Sequence, residues 1–334
     1  MSLFDDNPQK PPDQDFEPGP APEPSPASSS AEPVPFSLAG DPFPSAAIPP
    51  PPDANSFLPD DLRISWSWLH LTLFSLFGLV SLLVVQLAFA FYYTPPNRHF
   101  ATKQEFEQFV FSKPFFAIGS MVVWEASLIL FLYVTIAVLP NAPFWRSLGW
   151  RKIISPAAGH PPNPWRYLLS GCALSLGVFI VTAKTKAPDN APIEELFKHR
   201  STMFLFMAMA VFFAPLVEET LFRGYLFPLF ARFSSALARF LGADSLDAVR
   251  QGVTASIVLT GALFGLVHGY QLAWSRSLVL TLTIVGMIFT YVRARTGSVY
   301  ASFLLHLGYN TTIAIATLIG FFAAKGFTHL PPGH

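Results

Sequence analysis

The feature that most constrains this chain is a series of apolar segments, each close to the length that crosses a lipid bilayer. A helix needs about 20 mostly apolar residues to span the hydrocarbon core. Seven segments qualify, at 66–93, 115–139, 167–183, 202–227, 253–270, 277–292 and 300–322. Because backbone polar groups in lipid must be satisfied within the segment, helices are expected. The sequence predicts an all-α, polytopic membrane helix bundle of about seven transmembrane helices. Residues 229–246 leave room for an eighth, although their charges favour an interfacial helix.

Composition excludes several classes of protein. Hydrophobic residues make up 51% of the chain and charged residues only 13%, which is outside the usual range for a soluble domain. The formal net charge is zero, so no nucleic-acid partner is expected. The single cysteine, Cys172, excludes a disulfide framework. We expect an integral, multi-pass protein of the plasma or inner membrane, surrounded by lipid, whose oligomeric state the sequence does not determine.

The chain divides into a polar tail and a membrane part. Residues 1–60 are rich in proline and too poor in apolar residues to offset the entropy of ordering, so we predict a disordered tail. The N-terminal transmembrane helices follow at 61–182. A membrane core that carries the polar motifs occupies 183–325, and a short C-terminal tail occupies 326–334.

The first polar motif lies in the fourth apolar segment, as VEETLFRGYLF. An acid or arginine at the centre of a bilayer costs about 2.5–3.5 kcal/mol on insertion scales, so these charges need compensation. Glu219 and Arg223 are four residues apart with the acid first, which favours an ion pair on one helix face. Glu218 points about 100° away and faces elsewhere. Pro215 lacks a backbone donor and predicts a kink beside the acids.

The second motif lies in the fifth segment, as TGALFGLVHGY. Phe264 and His268 are four residues apart and share one helix face. A glycine series runs beside them at Gly261, Gly265 and Gly269. Small residues at this spacing let helix backbones approach closely, so we expect His268 to be held against neighbouring helices.

The third motif places His306 and Asn310 four residues apart in the seventh segment, and Glu125 stands alone in the second. Each of these residues, taken singly, could serve only packing. Uncompensated burial of all of them would be expensive, so one shared hydrated pocket is the economical solution. Glu125 has no evident partner, and it is either protonated or directed into a water-filled cavity.

One geometric condition limits this hypothesis. His268 lies near the end of its apolar segment, whereas His306 lies near the start of its own, and those two ends face opposite sides of the membrane. The two side chains meet only if the first helix begins well outside the bilayer, tilts, or ends within the membrane.

The three motifs, in this order, resemble the CPBP family of intramembrane proteases (CAAX protease and bacteriocin-processing, Abi-type), which includes the type II CAAX prenyl endopeptidases. The resemblance covers residues 183–322. It implies a helical core with the site in a cavity within the bilayer. It also implies that Glu218 and His268 activate water and that His306 with Asn310 stabilises the oxyanion. Supporting roles would fall to Glu219, Arg223 and Phe264.

A catalytic metal is an open alternative. Glu218, His268 and His306 have the ligand types of a three-ligand zinc site with an open position. However, the chain has no His-Glu-x-x-His helix, which would place two histidines on one face. We therefore favour glutamate-type catalysis without a cofactor and keep zinc as the alternative.

The function expected from the residues and the resemblance is that of a membrane endopeptidase. Its substrate would be a peptide bond in a membrane-associated peptide or protein, including a lipidated, CAAX-like C-terminus. The alternative is a catalytically inactive protein of the same fold that binds a peptide, confers immunity or acts as a scaffold. A transporter is disfavoured because the spans show no inverted-repeat pairing of broken segments.

Overall fold

A computed structural model describes residues 57–111, 113–153, 163–185 and 200–328. All regular secondary structure in these ranges is helical, which confirms the predicted all-α class. Most of the predicted proline-rich tail, residues 1–56, lies outside the described residues, as do residues 329–334 at the C-terminus.

Seven helices in the described ranges are long and apolar enough to cross a membrane, as predicted. They are α1 (Trp68–Tyr93), α2 (Phe115–Val138), α3 (Trp165–Thr182), α4 (Met203–Phe240), α5 (Ser245–Val267), α6 (Arg276–Thr296) and α7 (Val299–Ala323, continuing to Thr328). Two short helices, Lys103–Phe111 and Phe144–Ser147, lie in the connections on either side of α2. The described part of the chain is therefore a polytopic helix bundle.

Helix α4 is unusually long and irregular. At about 1.5 Å per residue its 38 residues would reach about 57 Å, nearly twice the thickness of a hydrocarbon core. Together with residues 200–202, which precede it in the same helix, α4 alternates α-helical and π-helical segments. They are Arg200–Ala208 (α), Met209–Phe213 (π), Ala214–Glu218 (α), Glu219–Leu226 (π) and Phe227–Phe240 (α). Residues 229–246, where the sequence left room for an eighth crossing, form the end of α4, a turn and the start of α5.

The bounds predicted for the fifth span were wrong at both ends. Helix α5 begins at Ser245 rather than at 253, because Asp244 caps its first turn by accepting hydrogen bonds from the backbone N–H groups of Leu246 and Asp247 at 2.9 Å. Hydropathy alone missed this polar first part. At the other end the helix stops at Val267, so that His268 lies just past its last turn.

Helices α5 and α6 form a close antiparallel pair. A Cβ atom on Gly261 would lie 2.7 Å from the backbone nitrogen of Met287, and one on Gly265 would lie 2.7 Å from the carbonyl oxygen of Val279. Both contacts are closer than side chains permit, so these two glycines are required for the observed approach. The predicted role of this part of the glycine series is confirmed.

A second close crossing, which the sequence did not indicate, joins α3 to α7. Gly171 of α3 lies against the carbonyl of Leu305, and Gly308 of α7 lies against the carbonyl of Leu168. A side chain on either glycine would overlap the facing backbone. This reciprocal contact fixes α7, the helix that carries His306, against the bundle.

The N-terminal end of the described chain is packed onto the bundle. Leu58 and Leu62 are 1% exposed and lie in a core cluster with Phe227. Asp61 pairs with the buried guanidinium of Arg293 in the last turn of α6, at 3.1 Å. Phe57 and Leu58, which composition assigned to the tail, therefore pack against α4 and α5.

Candidate active site

The structure brings together the acid and the two histidines that the sequence singled out. Nε2 of His268 lies 3.6 Å from Oε1 of Glu218, and Nε2 of His306 lies 3.8 Å from Oε2 of the same carboxylate. The side chains of Glu218 and His268 are 19% and 18% exposed, whereas that of His306 is 4% exposed. Glu218 thus stands between two imidazoles, at the accessible side of the group.

The expected conflict between the ends of the fifth and seventh spans does not arise. Because α5 begins at Ser245 and ends at Val267, the imidazole of His268 extends from the end of the helix toward α4. The ring of Phe264, one turn earlier, lies 5.8 Å from the ring of His306 and also contacts the ring of His268, so it packs between the two histidines. The carboxylate of Glu218 lies within 4 Å of both imidazoles and so connects His268 with His306.

The orientation of His268 is fixed by its own helix. Its Nδ1 lies 2.7 Å from the carbonyl oxygen of Phe264. Because a carbonyl only accepts, Nδ1 carries the hydrogen, and Nε2 faces Glu218. In the neutral ring this Nε2 is a hydrogen-bond acceptor. An ionised Glu218 also only accepts, so two acceptor atoms face each other across 3.6 Å. A water molecule with two hydrogens satisfies both.

The predicted ion pair between Glu219 and Arg223 is present and fully buried. Nη1 of Arg223 lies 3.0 Å from Oε1 of Glu219, and both side chains are 0% exposed. Nη2 of Arg223 donates to the carbonyl of Gly286 on α6 at 2.9 Å. The same Glu219 oxygen accepts from Nδ1 of His306 at 2.9 Å, which leaves Nε2 of His306 directed at Glu218. Glu219 therefore orients His306, and Glu218 is left accessible.

The amide of Asn310 is tied to the irregular part of α4. The backbone N–H of Ala214 bonds to the carbonyl of Met209 in π-helical register. In that register residue 215 would bond to the carbonyl of Ala210, but Pro215 has no N–H. Nδ2 of Asn310 donates to this carbonyl at 2.8 Å instead. An amide group has two hydrogens, so one remains for the role that the resemblance implies.

Aromatic rings enclose the buried side of the site. Phe264 packs on the ring of His268 with centroids 4.6 Å apart, and the guanidinium of Arg223 lies 4.6 Å from the Phe264 ring. Phe289 of α6 packs on His306, also at 4.6 Å. Sequence reasoning missed Phe289 because one phenylalanine among many in an apolar span gives no signal.

Glu125 of α2 belongs to the same surroundings. Its carboxyl interacts electrostatically with Glu218 and His268, so α2 presents it toward the candidate site. Its Oε2 atom is buried and has no hydrogen-bond partner in the described part of the chain. The sequence showed the isolated acid but not its neighbours, which come from helices far away along the chain.

The residues do not form a ready-made metal site. Within the described ranges, no three His, Cys, Asp or Glu side chains are arranged so that they could hold a metal ion. Glu218, His268 and His306 supply suitable donor types, but each imidazole faces a different oxygen of the carboxylate. We therefore derive no chemical step through a metal.

The fold and this cluster define an integral multi-pass membrane protein with a carboxylate placed between two imidazoles. Residues 200–312 match the family described as "Type II CAAX prenyl endopeptidase Rce1-like". This segment contains all four predicted catalytic residues, and its match supports the resemblance to the CPBP family of CAAX proteases that the motifs indicated. The match supports a CAAX-type intramembrane protease in general terms. Comparisons with curated proteins and with solved structures found no match.

Proposed function

We propose that the protein is a glutamate-type endopeptidase, a multi-pass protein of the plasma or inner membrane, that cleaves a peptide bond near the lipidated C-terminus of a CAAX-like substrate. The observation that carries this proposal is the position of Glu218, which lies within 4 Å of two imidazoles while the neighbouring Glu219 is sealed in an ion pair. The membrane environment supports a lipid-linked or hydrophobic substrate.

The chemical step follows from these positions. Glu218 and His268 hold a water molecule, and Glu218 takes one of its protons as the water oxygen attacks the scissile carbonyl carbon. The carbonyl oxygen becomes an oxyanion, to which the amide of Asn310 donates a hydrogen bond. Nε2 of His306 donates a second one when the ring is an imidazolium, because Glu219 already accepts from its Nδ1–H. Glu218 then returns the proton to the departing nitrogen as the carbon–nitrogen bond breaks. Water is consumed, and a carboxylic acid and an amine are released.

The alternative is a protein of the same fold that binds a peptide without cutting it. Glu219, Arg223 and the aromatic rings would stabilise the fold equally well in such a protein. The hypothesis of a peptide-binding protein gives no reason for Glu218 and His268 to lie together at the accessible side of the cluster. We therefore rank it second.

Replacing His268 by Ala should lower kcat for peptide cleavage by about 100-fold, because one of the two groups that position and polarise the water is lost. The measurement is release of the C-terminal tripeptide from farnesylated and unmodified CAAX peptides in detergent, followed by mass spectrometry. Tyr270→Ala is the matched control, since this residue lies in the same turn and its side chain is exposed. Absence of cleavage by the wild type would contradict the proposal and favour the binding protein.

Metal analysis of the purified protein tests the glutamate-type mechanism separately. We expect less than stoichiometric zinc, and we expect cleavage to persist after dialysis against a chelator. Stoichiometric zinc that is lost together with activity in His268→Ala would overturn this part of the proposal and establish Glu218, His268 and His306 as metal ligands.

A further inference from the structure

Glu125 is an ionisable side chain near the candidate site that the proposed chemistry does not use. It comes from α2, outside the matched segment 200–312. Helix α2 packs against the α-helical parts of α4 that precede and include Glu218. Through this packing the carboxyl of Glu125 lies within electrostatic range of Glu218 and His268.

Other polar side chains near Glu125 on α2 have hydrogen-bond partners. Nε1 of Trp124 donates to the carbonyl of Gly78, and the hydroxyl of Ser127 donates to the carbonyl of Trp124. Ser120 accepts from Gln86 of α1. Oε2 of Glu125, by contrast, is buried without a hydrogen-bond partner in the described residues. A buried acceptor left unsatisfied costs about 1–3 kcal/mol, so this oxygen requires a partner that is not part of the described chain.

The surroundings limit what that partner can be. Oε2 of Glu218 is likewise buried without a hydrogen-bond partner in the described ranges. Two carboxyl groups repel an anionic ligand group and accept from a hydrogen-bond donor. A peptide held in an apolar membrane chamber brings such donors, because each non-proline residue carries a backbone N–H that must be satisfied there.

We propose that Glu125 is a substrate-binding residue whose Oε2 accepts a hydrogen bond from a backbone N–H of the bound peptide, next to the scissile bond. This inference rests on the proposed endopeptidase function. It assigns to the N-terminal helices a part in substrate alignment, so that α2 holds the peptide while α4, α5 and α7 carry the reacting groups.

The test is a double-mutant cycle between the protein and its peptide. Glu125→Leu removes the acceptor and should lower kcat/KM by about tenfold, the upper range for one hydrogen bond. Glu125→Gln keeps an acceptor oxygen and should stay within about threefold of the wild type. Peptides N-methylated at one position at a time remove each donor in turn. Methylation at one position next to the scissile bond should lower kcat/KM of the wild type about tenfold and should have no further effect on Glu125→Leu.

Gln86→Leu is the matched control, because it also removes a half-buried polar group between α1 and α2 but one that Ser120 already satisfies. Thermal unfolding of each variant verifies that it is folded. The inference would be overturned if Glu125→Leu showed wild-type kinetics. It would also be overturned if methylation at every position lowered kcat/KM of Glu125→Leu by the same factor as that of the wild type. Neither result would contradict the endopeptidase proposal. Displacement of a fluorescent peptide measures binding directly. If the wild type binds but does not cleave, the endopeptidase proposal fails while the same cycle, run on Kd, still decides the role of Glu125.

Discussion

Replacing Glu218 by Gln is expected to lower kcat for peptide cleavage by about 10³–10⁴-fold, because the amide preserves volume but cannot take a proton from water. KM should change little, since the substituted group is the same size and the aromatic walls of the site are untouched. The unfolding temperature should also stay close to that of the wild type, because Glu218 makes no ion pair with an arginine or lysine in the described residues. The measurement is single-turnover cleavage of a CAAX peptide in detergent.

Glu105→Gln provides the comparison, since it removes an exposed carboxylate in the short helix Lys103–Phe111 and should leave cleavage unchanged. If Glu218→Gln keeps cleavage within tenfold of the wild type, Glu218 is not the base. Glu219 could not easily replace it, because both its side chain and that of its partner Arg223 are inaccessible.

The largest expected effect on stability comes from Arg223→Met. Removing one partner of a buried ion pair leaves an uncompensated charge and typically costs 3–5 kcal/mol. In this protein the change would leave the buried carboxylate of Glu219 without its cation. It would also remove one of two side-chain donors to the carbonyl of Gly286, which keeps the hydroxyl of Thr290. We expect a lower unfolding temperature in detergent and a lower yield of folded protein.

The double substitution Glu219→Gln with Arg223→Met should recover part of this loss, because no unpaired charge is then buried. Arg276→Met, at the exposed start of α6, should have almost no effect. If Arg223→Met unfolds at the temperature of this control, or if the double substitution is no more stable than the single one, the pair does not contribute to stability in the way described.

Much of the fold could be predicted because the thickness of the bilayer sets the length of each helix that spans it. Seven apolar segments gave seven helices, and their order along the chain sufficed for the class of fold. The bounds of α5 were mispredicted because its first turns are polar, and the signal that marks its true start is the single capping residue Asp244. The π-helical segments of α4 also escaped prediction, since only Pro215 hinted at an irregular backbone.

The contacts of the site residues could also be predicted only in part. Spacing along one helix correctly paired Glu219 with Arg223 and joined Phe264 to His268, because neighbours four residues apart share a face. The sequence indicated a shared pocket and a close approach along the glycine series, but not the individual contacts between helices. The link from Glu219 to His306, the acceptor at Gly286 and the position of Glu125 all depend on how distant segments pack. The roles in catalysis remain predictions that the variants above address.

The bond between Asn310 and the carbonyl of Ala210 has a consequence for how this chain can vary. That carbonyl is free to accept because residue 215 is a proline. An ordinary residue at 215 would offer its own N–H to the same oxygen, and Asn310 would then share or lose its anchor. Positions 215 and 310 therefore form an epistatic pair: a substitution at one changes what a substitution at the other does, although the two lie on different helices.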